Sequence, residues 1–387
     1  MTDVLVIGAT NTSPELRHEI PVDIMDPFVY AEVDGRRVAV VWSVEGDRIA
    51  AVDPSLEIIH AETFPIEELV RAGVDLYELS PTNTVRMVES LGLRNARVPA
   101  AFPIEHADAL RAAGVELIPD QRLFDDRRRR KTPLELEGIY RASRAAEAGM
   151  AAIASLLARS EPGDGGRLVD GEPLTCELLR EAAKEAFAAA GCRGDDLIAA
   201  HGPQSAEGHS HGSGRVSNDD VLVCDLFPRD AESACYSDMT RTFTVGKADW
   251  QIELWHRRTR DALELARKLV RPGAKGPEIF REVCLHYERL GHPTNLSKPE
   301  GTVLREGFNH SLGHGVGLEV HEAPSLGKSG HELVVGDVIT LEPGLYRHGF
   351  GGVRLEDLVV VTENGCETIT DFPYDLDPAA SVVETAR

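Results

Sequence analysis

Apolar and polar positions follow two periods along the chain, and the changes of period mark its elements. VLVIG at 4–8 is a short unbroken apolar run, read as a buried strand; no G-x-G-x-x-G follows it. FVYAEVDGRRVAVVW at 28–42 reads as a hairpin, because Asp34-Gly35 between β-rich runs favours a tight turn with positive φ. Helical periods near 65–73 and 105–113 complete a small α/β domain over 1–126. The basic run that follows predicts a solvated linker over 127–132, with Thr132 as N-cap and Pro133 in the first turn of a helix. From 133 to 190 alanine and leucine recur at helical spacing, interrupted by a loop at 161–173. A second helical pair is expected over 249–271 and 276–291, broken at Pro272-Gly273. Strand-rich blocks follow each pair, so 133–387 predicts a second domain with an architectural pseudo-repeat.

Composition narrows the function classes. The net charge of −23, from 41 basic and 64 acidic residues, argues against nucleic acid as a partner, since that needs basic patches against phosphate. Apolar runs such as VAVVW at 38–42 are too short to span a bilayer, so no membrane association is expected. The N-terminal stretch has no basic region leading into an apolar core of secretory type. The six cysteines (Cys176, Cys192, Cys224, Cys235, Cys284 and Cys366) form no C-x-x-C pair, which suits reduced thiols in a cytoplasm.

Candidate chemistry lies in three blocks of the second domain: 225–242, 310–324 and 340–357. Between Asp225 and Asp238 stands an even number of residues, which lets them face each other directly across an antiparallel pair with a turn around Pro228–Glu232. Two carboxylates so placed repel unless a cation lies between them. His314 is flanked by Gly313 and Gly315, whose missing Cβ atoms let backbone approach closely. Glu342 ends a strand before a Pro-Gly break, and Glu356 falls in the apolar strand RLEDLVVV. An ionised acid there costs several kcal/mol unless a metal or the adjacent Arg354 compensates it. Four carboxylates and one imidazole suffice for two dications with a water between them, the equipment of a metal-dependent hydrolase.

The motifs SDMTRT, GHGVG followed by VHEAP, TLEPGLY and GVRLEDLVVVT stand in one order over roughly 133–375. Together they resemble the pita-bread-fold metallopeptidases, specifically the aminopeptidase P and prolidase branch. The resemblance implies an α+β chain in which a smaller, creatinase N-terminal-like α/β domain precedes a pita-bread (creatinase/aminopeptidase-like) catalytic domain. It implies Asp225, Asp238, His314, Glu342 and Glu356 as metal ligands, with Asp238 and Glu356 bridging both ions. It gives His321 contact with the substrate carbonyl, His310 a place in the substrate pocket, and Arg354 a role supporting the bridging carboxylate. His209 is preferred to His211 as the histidine upstream of the first aspartate. The family pattern reads Asp-x-Gly with a shorter spacing, whereas Asp225-Leu226-Phe227 precedes a longer turn here. An even insertion keeps both aspartates on one face, so Asp225 is preferred to Asp230, which falls in the predicted turn.

The function so implied is hydrolysis of the Xaa-Pro bond at the N-terminus of peptides or in Xaa-Pro dipeptides. A hydroxide bridging two divalent ions would attack, Glu342 would carry its proton to the leaving nitrogen, and His321 with His209 would stabilise the oxyanion. Oxygen-rich ligation favours Mn2+ over Co2+, Fe2+ or Zn2+, and a homodimer is expected. The alternatives are an amidino- or ring hydrolase or a C–S lyase on the same fold, or a non-catalytic binding module; the complete ligand set argues against a creatinase-like hydrolase and the binding module, and leaves the C–S lyase open.

Overall fold

The computed structural model describes residues 3–385, in two compact units that divide between Arg128 and Arg129. The first unit is built on a six-stranded sheet. Its strand order is Glu57–His60, Arg36–Val41, Phe28–Val33, Val4–Gly8, Asn95–Val98, Glu116–Pro119. The expected hairpin is present, with Asp34 at φ 51° and Gly35 at φ 80°, successive positive values that match the twist of the flanking strands. Leu5, Val29 and Val38 enter one apolar cluster while Val4, Phe28 and Val41 enter another. The sheet is therefore covered on both faces, which is why its strands read as unbroken apolar runs.

The basic run is not the solvated linker expected over 127–132. Arg127 donates to Glu19 and Glu32, and Arg128 lies buried 3.6 Å from Glu15 within the first unit. Within the second unit, Arg129 makes a two-pronged bond to Asp337 at 2.8 and 2.7 Å, and Lys131 pairs with Glu322. Glu15, Asp337 and Glu322 have side chains at most 8% exposed, so the cations beside them offset a burial cost. Replacing Arg129 by Met strands the fully buried Asp337 without its cation. The expected cost is about 3–5 kcal/mol, read as a lower midpoint in urea unfolding of the second unit.

The second unit opens with the helix Pro133–Arg159. Thr132 Oγ1 accepts from the Glu135 N–H and Glu135 returns a bond to the Thr132 N–H, a complete capping box. This helix packs with Cys176–Ala189 against a sheet of Ile198–His201, Asp220–Leu226 and Met239–Val245. The loop expected at 161–173 is instead a small three-stranded sheet of Glu161–Gly163, Gly166–Val169 and Glu172–Pro173. Strands of two to four residues are too short to show a period. The second helical pair, Trp250–Leu269 and Gly276–Arg289, breaks at Gly273 (φ 82°) and packs on a separate apolar cluster. That cluster backs a five-stranded sheet ordered Glu322–Ser325, His314–Gly315, Val338–Leu341, Asp357–Thr362, Gly365–Thr368. The two halves are stitched where Thr242 Oγ1 bonds both N–H and C=O of Arg354, and where the Glu356 N–H reaches Thr240 O at 3.1 Å. No helix among the described residues is long and apolar enough to cross a membrane.

Candidate metal centre

Each half of the second unit delivers acids to that seam. Asp225 lies near the end of its strand, and Asp238 immediately precedes Met239–Val245. The two aspartates are not directly opposite, as the spacing had suggested: Asp225 pairs with Thr240. Asp238 is therefore the diagonal neighbour, two residues from Thr240 and on the same face by strand alternation. The long connection between them is more than a turn. Its Arg229–Asp230 segment forms a short ladder with Cys192–Arg193. Asp230 is withdrawn from the site, because Arg141 grips its carboxylate at 2.9 and 2.8 Å and Ser233 adds two further bonds.

The other half supplies His314, Glu342 and Glu356. His314 sits where a Cβ on Gly313 would strike Thr340 O and one on Gly315 would strike Ala323 O, so glycine is required on both sides. Its Nδ1 faces Gly315 O at 3.2 Å, which assigns the proton to Nδ1 and leaves the Nε2 lone pair free. Nε2 lies 3.6 Å from Glu342 Oε1 and 3.7 Å from Asp238 Oδ2. Glu342 follows the strand Val338–Leu341, held by its N–H to Leu312 O. Glu356 is not inside an apolar strand as expected; it occupies the link between Gly351–Arg354 and Asp357–Thr362. Its side-chain partner is Thr240 Oγ1, donating at 2.6 Å, and not Arg354. Arg354 instead donates to Asp225 Oδ2 at 2.5 Å and to Thr240 Oγ1 at 3.1 Å. It thus supports Asp225 directly and Glu356 through the threonine. Beneath them the buried Arg241 donates to the carbonyls of Thr240 and Glu356 and to Asp357, fixing the backbone that carries both.

The carboxylates are out of electrostatic balance as they stand. Asp238 and Glu356 are 4% and 2% exposed. Burial first, then repulsion from Asp225 and Glu342, with Glu356 adding to the effect on Asp238, holds their pKa values well above the ordinary carboxylate range. Burial pushes Glu342 up to about 8. Asp225 Oδ1 and Asp238 Oδ1 are buried with no hydrogen-bond partner among the described residues. Orphaned carboxylate oxygens beside a free imidazole nitrogen are what a hard dication satisfies. Ligand atoms of Asp238, His314 and Glu356 lie within 4.8 Å of one another, so these residues fit a metal.

A pH signature follows. A carboxyl raised in the folded state supports stability fully below its unfolded pKa and loses that support as pH rises through the folded value. For Glu342 the window runs from 4.5 to about 8. Chelated protein is therefore expected to lose melting temperature across that window, whereas protein with Mn2+ is spared. The metal-induced shift in a thermal melt should grow between pH 5 and 8.

The remaining expected residues line the same cleft. His321 stacks against His314 with ring centroids 4.2 Å apart. His310 reaches Tyr346 Oη at 2.9 Å through Nε2 and Ser311 O at 2.7 Å through Nδ1. Burial pushes His310 down to about 3 and His314 to about 4, and it lowers His321 as well, so all three are neutral at pH 7. His209 lines both lobes of the cleft, and its charge bears on His310 and His321. His211 lines one lobe and is drawn aside by Asp196 and Leu197 O, at 3.3 Å each. Sequence reasoning missed Thr240, Tyr346, Arg241 and Phe227. Strand alternation from Asp238 through Thr240 was the one signal available for any of them.

Comparison with known proteins identifies the family and the fold. The profile of metallopeptidase family M24 matches residues 137–363, more than half of the chain. An Xaa-Pro dipeptidase of Pyrococcus horikoshii is 35% identical over 190 residues, covering 47% of this chain and 48% of the relative. An uncharacterized peptidase, YqhT, of Bacillus subtilis is 36% identical over 182 residues, again 47% and 48%. The chain thus spans about half the length of the curated relatives it matches. Solved structures share the fold over nearly the whole chain. The prolidase from Pyrococcus horikoshii OT3 superposes with TM-score 0.75 and 22% identity, covering 97% of this chain and 95% of its own. The X-Pro aminopeptidase from Thermotoga maritima MSB8 gives 0.74 and 20%, covering 97% of each. The architecture is accordingly the pita-bread fold with a preceding α/β unit, and the chain belongs to metallopeptidase family M24.

Proposed function

We propose that this chain is a two-metal peptidase cleaving the Xaa-Pro bond at the N-terminus of peptides or in Xaa-Pro dipeptides. The observation that carries the reading is the buried carboxylate cluster with two orphaned oxygens beside a free imidazole nitrogen. Asp225, Asp238, His314, Glu342 and Glu356 would hold the ions, with Asp238 and Glu356 central enough to be shared. Their oxygen-rich set suits Mn2+ before Co2+, Fe2+ or Zn2+. Bound dications would lower the pKa of a water toward neutrality and polarise the scissile carbonyl.

The chain's own groups complete the chemistry. Glu342, between His314 Nε2 and His310 Nδ1, is placed to take a proton from the attacking water and return it to the leaving nitrogen. His321 and His209 are the donors for the oxyanion, and Arg354 orients Asp225 through its hydrogen bond to Oδ2. His310, anchored by Tyr346, lines the substrate side. The first unit is read as the creatinase N-terminal-like domain and a homodimer as the assembly. Six unpaired cysteines, five of them buried, suit a reducing compartment such as the cytoplasm.

The test is an assay with Mn2+ comparing an Xaa-Pro dipeptide, an Xaa-Pro tripeptide and an N-terminal methionyl peptide. Cleavage of one or both proline peptides, abolished by a chelator and restored by Mn2+, is expected. Cleavage of the methionyl peptide alone, or of none, contradicts the reading.

A further inference from the structure

The first unit holds a pocket of about 150 Å3 that the proposed peptidase chemistry does not use. After Val4–Gly8 the chain adds Phe28–Val33, Arg36–Val41 and Glu57–His60 on one side of that strand. It then returns to place Asn95–Val98 and Glu116–Pro119 on the other side, so the strand order reverses beside Val4–Gly8. The connections diverge there as well. Leu16, in the helix after Val4–Gly8, joins the cluster on one face, while Ala107 and Leu110, in the helix after Asn95–Val98, join the other. A crevice outside the carboxyl ends of the strands at such a reversal is where open α/β sheets take ligands. Ile7 near the end of the first strand, Val41 at the end of a strand running the same way, and His106 all line the pocket.

Apolar side chains make up most of its wall, and among the described residues His106 is the single titratable group that lines it. With no lysine or arginine in that lining, the pocket does not suit a phosphate. Ser80, Asn83, Thr84 and Met87 stand at i, i+3, i+4 and i+7 of the helix Leu79–Ser90, so one face of that helix forms part of the wall. A core-facing stripe ordinarily carries large apolar residues at such positions; three short polar ones leave the space open. Trp42 lines the same pocket and is 43% exposed, which leaves aromatic surface for an arriving ring.

His106 supplies the polar end. It is 7% exposed, and its Nδ1 is buried with no hydrogen-bond partner among the described residues. Nε2 lies 3.7 Å from Glu105 Oε1, which draws the ring proton to that nitrogen and leaves the Nδ1 lone pair unmet. Burial lowers the pKa of the ring, so it is neutral at pH 7. An unmet acceptor in an apolar wall carries a desolvation cost that a donor brought by a ligand removes. A cavity of about 150 Å3 lined by apolar groups accommodates one benzene ring. We infer that this pocket binds a neutral, phenol-like molecule of one ring, whose O–H supplies the donor that His106 lacks.

The full chain is titrated with phenol, toluene and benzoate, with binding read by calorimetry and saturation-transfer NMR. Phenol is expected to bind one per chain with Kd below about 10 mM. Toluene, with the same ring and no donor, should bind about three- to tenfold more weakly. Benzoate should not bind, because its charge would be buried unpaired. His106→Phe keeps a ring without the acceptor and should level phenol and toluene. Ala61→Leu, at a position 4% exposed on the wall, should abolish binding of both. Ser80→Phe, at an exposed position on the same wall, stands in if Ala61→Leu fails to fold. Phenol that does not saturate, or that binds no better than toluene, overturns the inference. So does a preference that survives His106→Phe, or binding unchanged by the filling variants. The measurement needs neither metal nor peptide, so its outcome is independent of the proposed function.

Discussion

Glu342→Gln is expected to fold as wild type and to lose at least about 10³-fold in kcat with Mn2+ present. Gln has the same shape, and the backbone bond that seats the residue, from its N–H to Leu312 O, is untouched. What disappears is a carboxylate oxygen 3.6 Å from His314 Nε2 and, 3.7 Å from His310 Nδ1, the other oxygen of the same carboxylate. Under the proposed function, a metal ligand and the proton carrier are lost at one position. The same change has the opposite sign in chelated protein. There the wild-type carboxyl, pushed up to about 8 by burial, must ionise against its surroundings as pH rises. Above pH 8 the chelated variant should therefore melt higher than chelated wild type. Wild-type turnover by the variant would remove Glu342 from the chemistry.

Glu356→Gln has the largest expected effect on metal retention. Glu356 is the most enclosed acid of the cluster, and its Oε2 already accepts from Thr240 Oγ1, a bond that the amide oxygen of Gln can also accept. The variant thus keeps its local packing while losing a full charge shared by the site. Affinity for Mn2+ should fall by at least about 100-fold, since changes to groups merely supporting a ligand already cost 10–100-fold. Calorimetric titration of the chelated protein measures this. Because Glu356 is held far above its ordinary pKa by burial and then by Glu342 and Asp225, removing its charge relieves repulsion. Chelated Glu356→Gln should accordingly be no less stable than chelated wild type at pH 8. A variant that binds Mn2+ as wild type does would place the metal elsewhere.

The features legible in the sequence are those decided by neighbours in the chain. Asp34-Gly35 set a turn between two apolar runs, Thr132 and Glu135 close a capping box, and Gly273 breaks a helix pair. The candidate metal ligands could be picked out because each stands in a compact motif, and the structure gathers ligand atoms of Asp238, His314 and Glu356 within 4.8 Å of one another. Features decided across long chain separations were not legible. The partner of Arg129 is Asp337, so a buried guanidinium and a solvated one look alike in the basic run. Asp230 is kept from the site by Arg141, from the helix Pro133–Arg159, and by Ser233. The register Asp225↔Thr240 made the two aspartates diagonal and brought Phe227 into the cleft, and residue spacing alone does not set a register.

The central claim is that these five side chains exist to hold two dications, and metal stoichiometry tests it most directly. Chelated protein is titrated with Mn2+ at pH 7 while heat and released protons are recorded, and bound metal is then counted by elemental analysis. Two ions per chain are predicted, with net proton release, because burial raises the pKa values of Asp238, Glu342 and Glu356 and bound metal lowers them again. Binding of no metal, or binding that survives unchanged in Asp238→Asn and Glu356→Gln, would contradict the account.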